Sequence, residues 1–251
     1  MQADFVGAEG NRVLVRRWEG GDGRAVLYWH GGVGSSEELP HIAPALEAAG
    51  YSVYAPDAPG YGDSPALRVD AYHATAIAEI AAALIEALGI APVIWIGSSW
   101  GASIGIHAAV SAPGRVKALA LLDGGYLDPS DDPDYDPQRG LAARIEKLRA
   151  RVEAGESWDA PPEVVAAVMQ GSDEAPPSPL HPALAAQGIP VLLVRATEPP
   201  EAEEIRAPAA ARFRDALPKA KVVCVPAGHG VLTDAGPDVR RIVLAWLARL
   251  G

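Results

Sequence analysis

Val93-Ile94-Trp95-Ile96 runs directly into Gly97-Ser98-Ser99-Trp100-Gly101, and a helical pattern continues from there to Ser111. This junction constrains the chain more than any other segment. A short apolar run forms a buried strand, and the helix begins with almost no connecting loop. The central residue of G-x-S-x-G then sits on a sharp strand-to-helix turn with strained backbone geometry. The small residues two positions away on either side keep neighbouring backbone from clashing. Ser99 Oγ is therefore expected above the edge of a sheet, at a helix N-terminus whose N–H groups favour negative charge. The string alone is common, and its position between a strand and a helix gives it weight.

The rest of the chain repeats that alternation. Arg12 to Trp18, Ala25 to His30, Tyr51 to Ala55, Val116 to Leu122, Val191 to Val194 and Lys221 to Val225 read as further strands. Helical spacing appears at Glu37 to Ala49, Ala71 to Leu88 and Pro237 to Leu250. Strand–helix alternation implies right-handed crossovers. The expected fold is α/β: a mostly parallel, roughly eight-stranded sheet with helices on both faces. Residues 124–188 break the rhythm. They hold the turn-rich acidic stretch DPSDDPDYDPQ, the helical pattern RGLAARIEKLRARVEAG, a short segment at Pro162–Gln170 and the proline-rich SDEAPPSPLHP, with no good strand. The expectation is an α/β core made of 1–123 and 189–251, with 124–188 as a small helical cap over the strands' carboxyl ends, where open α/β sheets bind ligands.

Composition narrows the partners. The chain has 251 residues, 32 acidic and 21 basic, giving a formal net charge of −11. Such a surface repels phosphate backbones and anionic membranes, so neither nucleic acid nor membrane is an expected partner. No apolar run has membrane-spanning length, and MQADFVGAEGNRV lacks the basic start and apolar core of a signal peptide. The one cysteine, Cys224 in KVVCV, reads as a buried small hydrophobe. A cytoplasmic location is the expectation, and oligomeric state has no signal in the sequence.

Two further segments carry chemistry. His30-Gly31-Gly32-Val33-Gly34 follows the strand AVLYWH. Acyl transfer needs two N–H donors aimed at the developing oxyanion. Trp100, after the nucleophile, supplies one; Gly32 is the favoured second, with Val33 as the alternative. His30 reads as a hydrogen-bonded anchor for the loop. A dinucleotide site would need glycine at position 37, and Glu37 stands there, where a carboxylate would repel pyrophosphate. In PAGHGVLTDAGPD, His229 lies between two glycines before the final helix, placed to swing over Ser99 as general base. His41, His73, His107 and His181 show no metal-ligand spacing, so neither metal nor other cofactor is expected.

HGG at 30–32, DAPGYGDS at 57–64, GSSWG at 97–101, LLDGG at 121–125 and GH at 228–229 together resemble the serine-dependent, esterase- and lipase-like members of the α/β-hydrolase superfamily. The HGG and SWG pieces also resemble proline iminopeptidases, whose cap is larger than residues 124–188. The resemblance implies a triad acid after the strand Val191–Val194, commonly as G-x-x-D. Here that text is VRATEPPEAEE, with Pro199 at the aspartate position and Glu198 one place early. A second acid position known in the superfamily ends the strand after the nucleophile, and Asp123 stands there. Asp123 is the favoured acid, because it emerges beside the nucleophile strand with two glycines freeing the turn; Glu198 is the alternative, with Glu201 and Asp128 behind them, and Asp57 reads as an organiser of its own loop.

The resulting expectation is an esterase with an acyl-enzyme intermediate acting on a small-molecule ester. Amide or peptide, lactone, thioester and carbon–carbon bond hydrolysis are the enzymatic alternatives, and a ligand-binding receptor or scaffold is the non-enzymatic one. An epoxide hydrolase or dehalogenase of this fold would need a carboxylate where Ser99 stands. Tyr126, Trp158 and Met169 are the expected pocket residues within the cap.

Overall fold

The computed structural model describes every residue except Glu9, Asp134 and Gly251. Eight strands form one sheet: β1 (Gln2–Ala8), β2 (Asn11–Trp18), β3 (Ala25–Trp29), β4 (Ser52–Pro56), β5 (Val93–Ser98), β6 (Val116–Leu122), β7 (Val191–Ala196) and β8 (Lys221–Val225). Their order is β1-β2-β4-β3-β5-β6-β7-β8. β2 runs antiparallel to both β1 and β4, and every other neighbouring pair is parallel. The helices are α1 (Ala43–Ala48), α2 (Ala74–Ala87), α3 (Trp100–Ser111), α4 (Leu141–Glu153), α5 (Pro162–Glu174), α6 (His181–Gln187), α7 (Glu203–Ala216), α8 (Val231–Asp234) and α9 (Gly236–Leu247).

Alternate side chains of each central strand enter opposite cores, as the two-residue period of a strand requires. Leu27, Trp29, Trp95, Leu119, Leu121 and Leu193 pack with Ile77 of α2, Ile104 of α3, Leu184 of α6 and Phe213 of α7. Val26, Tyr28, Ile94, Ile96, Ala120 and Val194 pack with Leu46 of α1, Leu232 of α8 and Trp246 of α9. Both faces are covered, which is why these strands read as continuous apolar runs.

Three expectations change. Glu37–Ala49 is not one helix: a 3-10 turn at Ser36–His41 contains Pro40, and α1 starts only at Ala43. Proline lacks the N–H that a continuous helix would use. β1 adds a strand that the sequence does not signal, because it is an edge strand in which Ala8 alone is buried, too little to imprint apolar alternation on QADFVGA. Cys224 is exposed, not buried, because β8 is the sheet's other edge.

Residues between β6 and β7 divide by what they touch. α4 and α5 pack on each other, whereas α6 packs against α3 and α7 beside the sheet. Among the described residues, no helix is long and apolar enough to cross a membrane.

Candidate active site

β5 and β6 are adjacent and parallel, with Ser98 in register with Leu122. The next residues, Ser99 and Asp123, therefore emerge side by side at the sheet's carboxyl edge. The Ser99 N–H donates to the Leu122 carbonyl at 2.8 Å, and the Asp123 N–H to the Val194 carbonyl at 2.7 Å. These two are also the non-glycine residues with positive φ among those described, at 49° and 45°. Such backbone costs on the order of 1–3 kcal/mol and persists where the surroundings over-determine it. Here the surroundings include close backbone approach. A Cβ on Gly101 would overlap the Trp29 carbonyl, one on Gly97 the Gly101 carbonyl, and one on Gly124 the Ser99 carbonyl.

His229, on the β8–α8 loop, joins the two. Its Nδ1–H donates to Asp123 Oδ2 at 2.8 Å, and its Nε2 lies 2.7 Å from Ser99 Oγ, placed to accept the hydroxyl proton. Asp123 is fully buried. Its other oxygen, Oδ1, accepts the Ala196 N–H and the Tyr126 hydroxyl, each at 2.9 Å. Arg206 Nη2 approaches Oδ2 to 3.5 Å. Burial alone would raise the Asp123 pKa. The hydrogen bonds from His229 and Ala196 and the charges of His229 and Arg206 outweigh it, so the carboxyl is held below its ordinary value.

The glycine loop lies against Ser99. A Cβ on Gly31 would sit 3.6 Å from the Ser99 Cβ, and one on Gly32 3.6 Å from the Trp100 Cβ. His30 is the anchor of this loop: its Nδ1–H donates to the Gly31 carbonyl at 2.7 Å, and its Nε2 accepts the Ala58 N–H at 2.9 Å. The Tyr61 hydroxyl donates to the Gly32 carbonyl. In a trans peptide the following N–H points opposite to its carbonyl. Fixing the Gly31 and Gly32 carbonyls therefore also fixes the Gly32 and Val33 N–H directions. Asp57 is buried and accepts the Ser36 N–H and the Arg16 guanidinium, which holds the turn after this loop.

A cavity of about 550 Å³ opens over Ser99, within the usual range for small-molecule sites. Gly31, Gly32, Val33, Trp100 and His229 line it together with Ser99. Leu148 and Arg151 of α4, with Val165, Val168 and Met169 of α5, form much of the rest. Met169 is thus in the cavity, where the sequence suggested it. Tyr126 and Trp158 are not. Tyr126 is buried beneath the site because its phenol reaches Asp123, and burial with the adjacent carboxylate pushes its pKa up. Trp158 lines a separate groove with Arg16, Glu37 and Asp63. The neighbouring Asp159 N–H is tied to the Val33 carbonyl, which keeps this linker outside the loop. Glu198 is exposed, and its carbonyl, not its carboxylate, accepts from Arg206. Glu201 is exposed too, and Asp128 starts a 3-10 turn. None of the three makes the contact to His229 that Asp123 makes. Sequence reasoning missed Leu148, Val165 and Val168, although their helical spacing within LAARIEKL and PEVVAAVM was a readable apolar stripe.

Three buried imidazoles clip segments around the site: His30 as above, His107 Nε2–H to the Ala175 carbonyl at 3.0 Å, and His181 Nε2–H to the Gly125 carbonyl at 2.8 Å. Burial pulls all three below the ordinary 6.5, against the smaller upward effect of the carbonyl hydrogen bonds. The unfolded chain takes up protons at these positions before the folded one does. Stability is therefore full above pH 6.5 and falls as pH drops below it. Thermal melts between pH 8 and pH 5 should show Tm declining below about 6.5, before carboxylates titrate. A flat Tm across that window would mean these rings protonate in place.

Residues 24–164 match the family model described as the alpha/beta hydrolase fold. Bifunctional epoxide hydrolase 2 of Mus musculus is 32% identical over 122 residues, 48% of this chain and 22% of that protein. The 2-hydroxy-6-oxo-6-phenylhexa-2,4-dienoate hydrolase of Burkholderia cepacia is 34% identical over 116 residues, 45% of this chain and 40% of that one. These matches thus take in less than half of either relative. Among solved structures, the enol-lactonase from Burkholderia xenovorans LB400 superposes with a TM-score of 0.81 at 18% identity, covering 98% of this chain and 100% of that one. An esterase from Thermogutta terrifontis gives 0.73 at 22% identity, with 99% of each chain covered. The family match takes in more than half of the chain, and its eight-stranded sheet has the architecture of that fold: this protein belongs to the α/β-hydrolase fold family.

Proposed function

We propose that this chain is a serine hydrolase that cleaves a small carboxylic ester through an acyl-enzyme intermediate. One observation carries the reading: the unbroken hydrogen-bond path Asp123–His229–Ser99 ends at a hydroxyl that faces a largely apolar cavity. His229 Nε2 takes the Ser99 proton as Oγ bonds to the ester carbonyl carbon, and the carbonyl electron pair moves onto oxygen. The N–H groups of Gly32 and Trp100 hold that oxyanion, the second at the positive end of α3. The oxyanion then collapses, the carbon–alkoxy bond breaks, and the imidazolium gives its proton to the departing alcohol. Water repeats the sequence on the acyl-enzyme, releasing the acid and restoring Ser99. Asp123 fixes the Nδ1–H tautomer and offsets the imidazolium charge.

Within residues 124–188, α4 and α5 act in this reading as the cap that shapes the acyl pocket, while α6 belongs with the core beside the sheet. Epoxide opening by this fold needs a carboxylate nucleophile, so the mouse relative's activity does not carry over to a chain with Ser99 at the elbow. The test joins a fluorophosphonate probe to a hydrolysis panel of a simple ester, a thioester, a lactone and an amide. Labelling confined to Ser99 with fastest turnover of the ester is expected. Faster turnover of another class would move the assignment within serine hydrolases, and absence of labelling would favour a binding protein.

A further inference from the structure

Glu38, Asp123, Arg151, Asp173 and His229 are the titratable side chains that line the cavity. Asp123 and His229 pair with each other. Asp173 pairs with Arg144 at 2.6 Å, and Arg151 with Glu156 at 2.7 Å. Glu38 alone of this set forms no ion pair among the described residues. Its Oε2 accepts the hydroxyl of the buried Tyr28 at 2.6 Å, which fixes the carboxylate's position. Burial holds the His30 imidazole below its ordinary pKa, and Arg16 is engaged by Asp57 and Glu37.

Its place matters as much as its charge. A methyl group on Gly31 would lie 3.9 Å from Glu38 Oε1 and 3.6 Å from the Ser99 Cβ. The carboxylate and the nucleophile thus flank the same small space beside the glycine loop. Hydrolysis builds a second negative charge there, on the oxyanion. An unneutralised carboxylate so close opposes that charge in a partly dry site. A cation carried by the substrate would remove the conflict and form a charge-assisted hydrogen bond with Oε1.

We propose that Glu38 is a specificity-determining residue that selects substrates bearing an ammonium group a few bonds from the scissile carbonyl. The inference rests on the ester-hydrolase reading and names the substrate class for it. Three ethyl esters of nearly equal shape test it: β-alanine ethyl ester, ethyl butanoate and monoethyl succinate, which place an ammonium, a methyl and a carboxylate at one end. kcat/KM for the ammonium ester is expected to exceed that for the butanoate by about tenfold or more, with the succinate slowest. Glu38→Gln should bring the first two close to parity and raise the succinate relative to both. Calorimetric titration of the unaltered protein with butylammonium and with butyrate reads the same preference without turnover and without a variant that must fold. The cation should bind about tenfold more tightly. Equal binding of the two ions, or an ammonium-to-butanoate ratio unmoved in Glu38→Gln, overturns the proposal. If the protein hydrolyses none of the three yet prefers butylammonium, the ester reading fails and the role of Glu38 stands.

Discussion

Ser99→Ala should lower kcat on a simple ester by several orders of magnitude, on the scale found when a catalytic nucleophile is deleted, and should abolish fluorophosphonate labelling. The melting temperature should not fall. Ser99 holds an unfavourable φ of 49°, and alanine inherits that backbone without adding bulk. Removing Oγ deletes a single hydrogen bond, to a half-exposed imidazole. Ser98→Ala is the matched control. Ser98 also lines the cavity, but its hydroxyl does not contact His229. A loss in Ser98→Ala equal to that in Ser99→Ala would shift the nucleophile by one residue and dismantle the site as described. Retained turnover in Ser99→Ala would remove serine chemistry altogether.

The parts of this site that the sequence made legible are those fixed by local backbone geometry. A strand-to-helix turn needs small residues around its centre, so GSSWG announced Ser99. A loop that packs this closely on Ser99 and Trp100 needs glycine, so HGG announced the close approach. The central strands were readable because helices cover both their faces, and β1 was not because solvent covers most of it. What sequence could not decide was everything set by tertiary approach. Asp123 was the favoured acid from its place at the end of the strand beside the nucleophile strand, but Glu198 stayed open, because only the approach of the His229 loop decides which carboxylate meets the imidazole. Tyr126 and Trp158 were large apolar side chains in the right segment. Yet a phenol seeks a partner when buried, and the 158–159 linker is stitched to the outside of the glycine loop. Arg206 and Glu38 had no local signal, since each matters only through a group distant in sequence.

Asp123→Asn should lower kcat by on the order of 10³-fold or more, as when a triad acid is neutralised, while Glu198→Gln should stay within about tenfold of the parent. The reason lies in which oxygen each neighbour uses. Oδ1 of Asp123 accepts from both the Ala196 N–H and the Tyr126 hydroxyl. Both are donors in their present geometry, so an asparagine must keep its amide oxygen on that side. Its NH₂ then takes the Oδ2 position, facing His229 Nδ1 and the Arg206 guanidinium. A donor opposite Nδ1–H is repulsive, and the ring relieves it by moving its proton to Nε2. Nε2 can then no longer accept the Ser99 proton, so the wrong tautomer is locked in by hydrogen bonds that were formerly supportive. Tyr126→Phe in the Asp123→Asn background supplies an internal check. It removes one of the two donors that hold the amide oxygen in place, allows a fraction of the side chain to flip, and should recover part of the lost kcat with KM unchanged. Glu198 enters none of this, because its carboxylate is exposed and only its backbone is engaged. A Glu198→Gln loss matching that of Asp123→Asn would transfer the acid's role to the strand after the cap. Small losses in both would leave Ser99 and His229 working as a dyad.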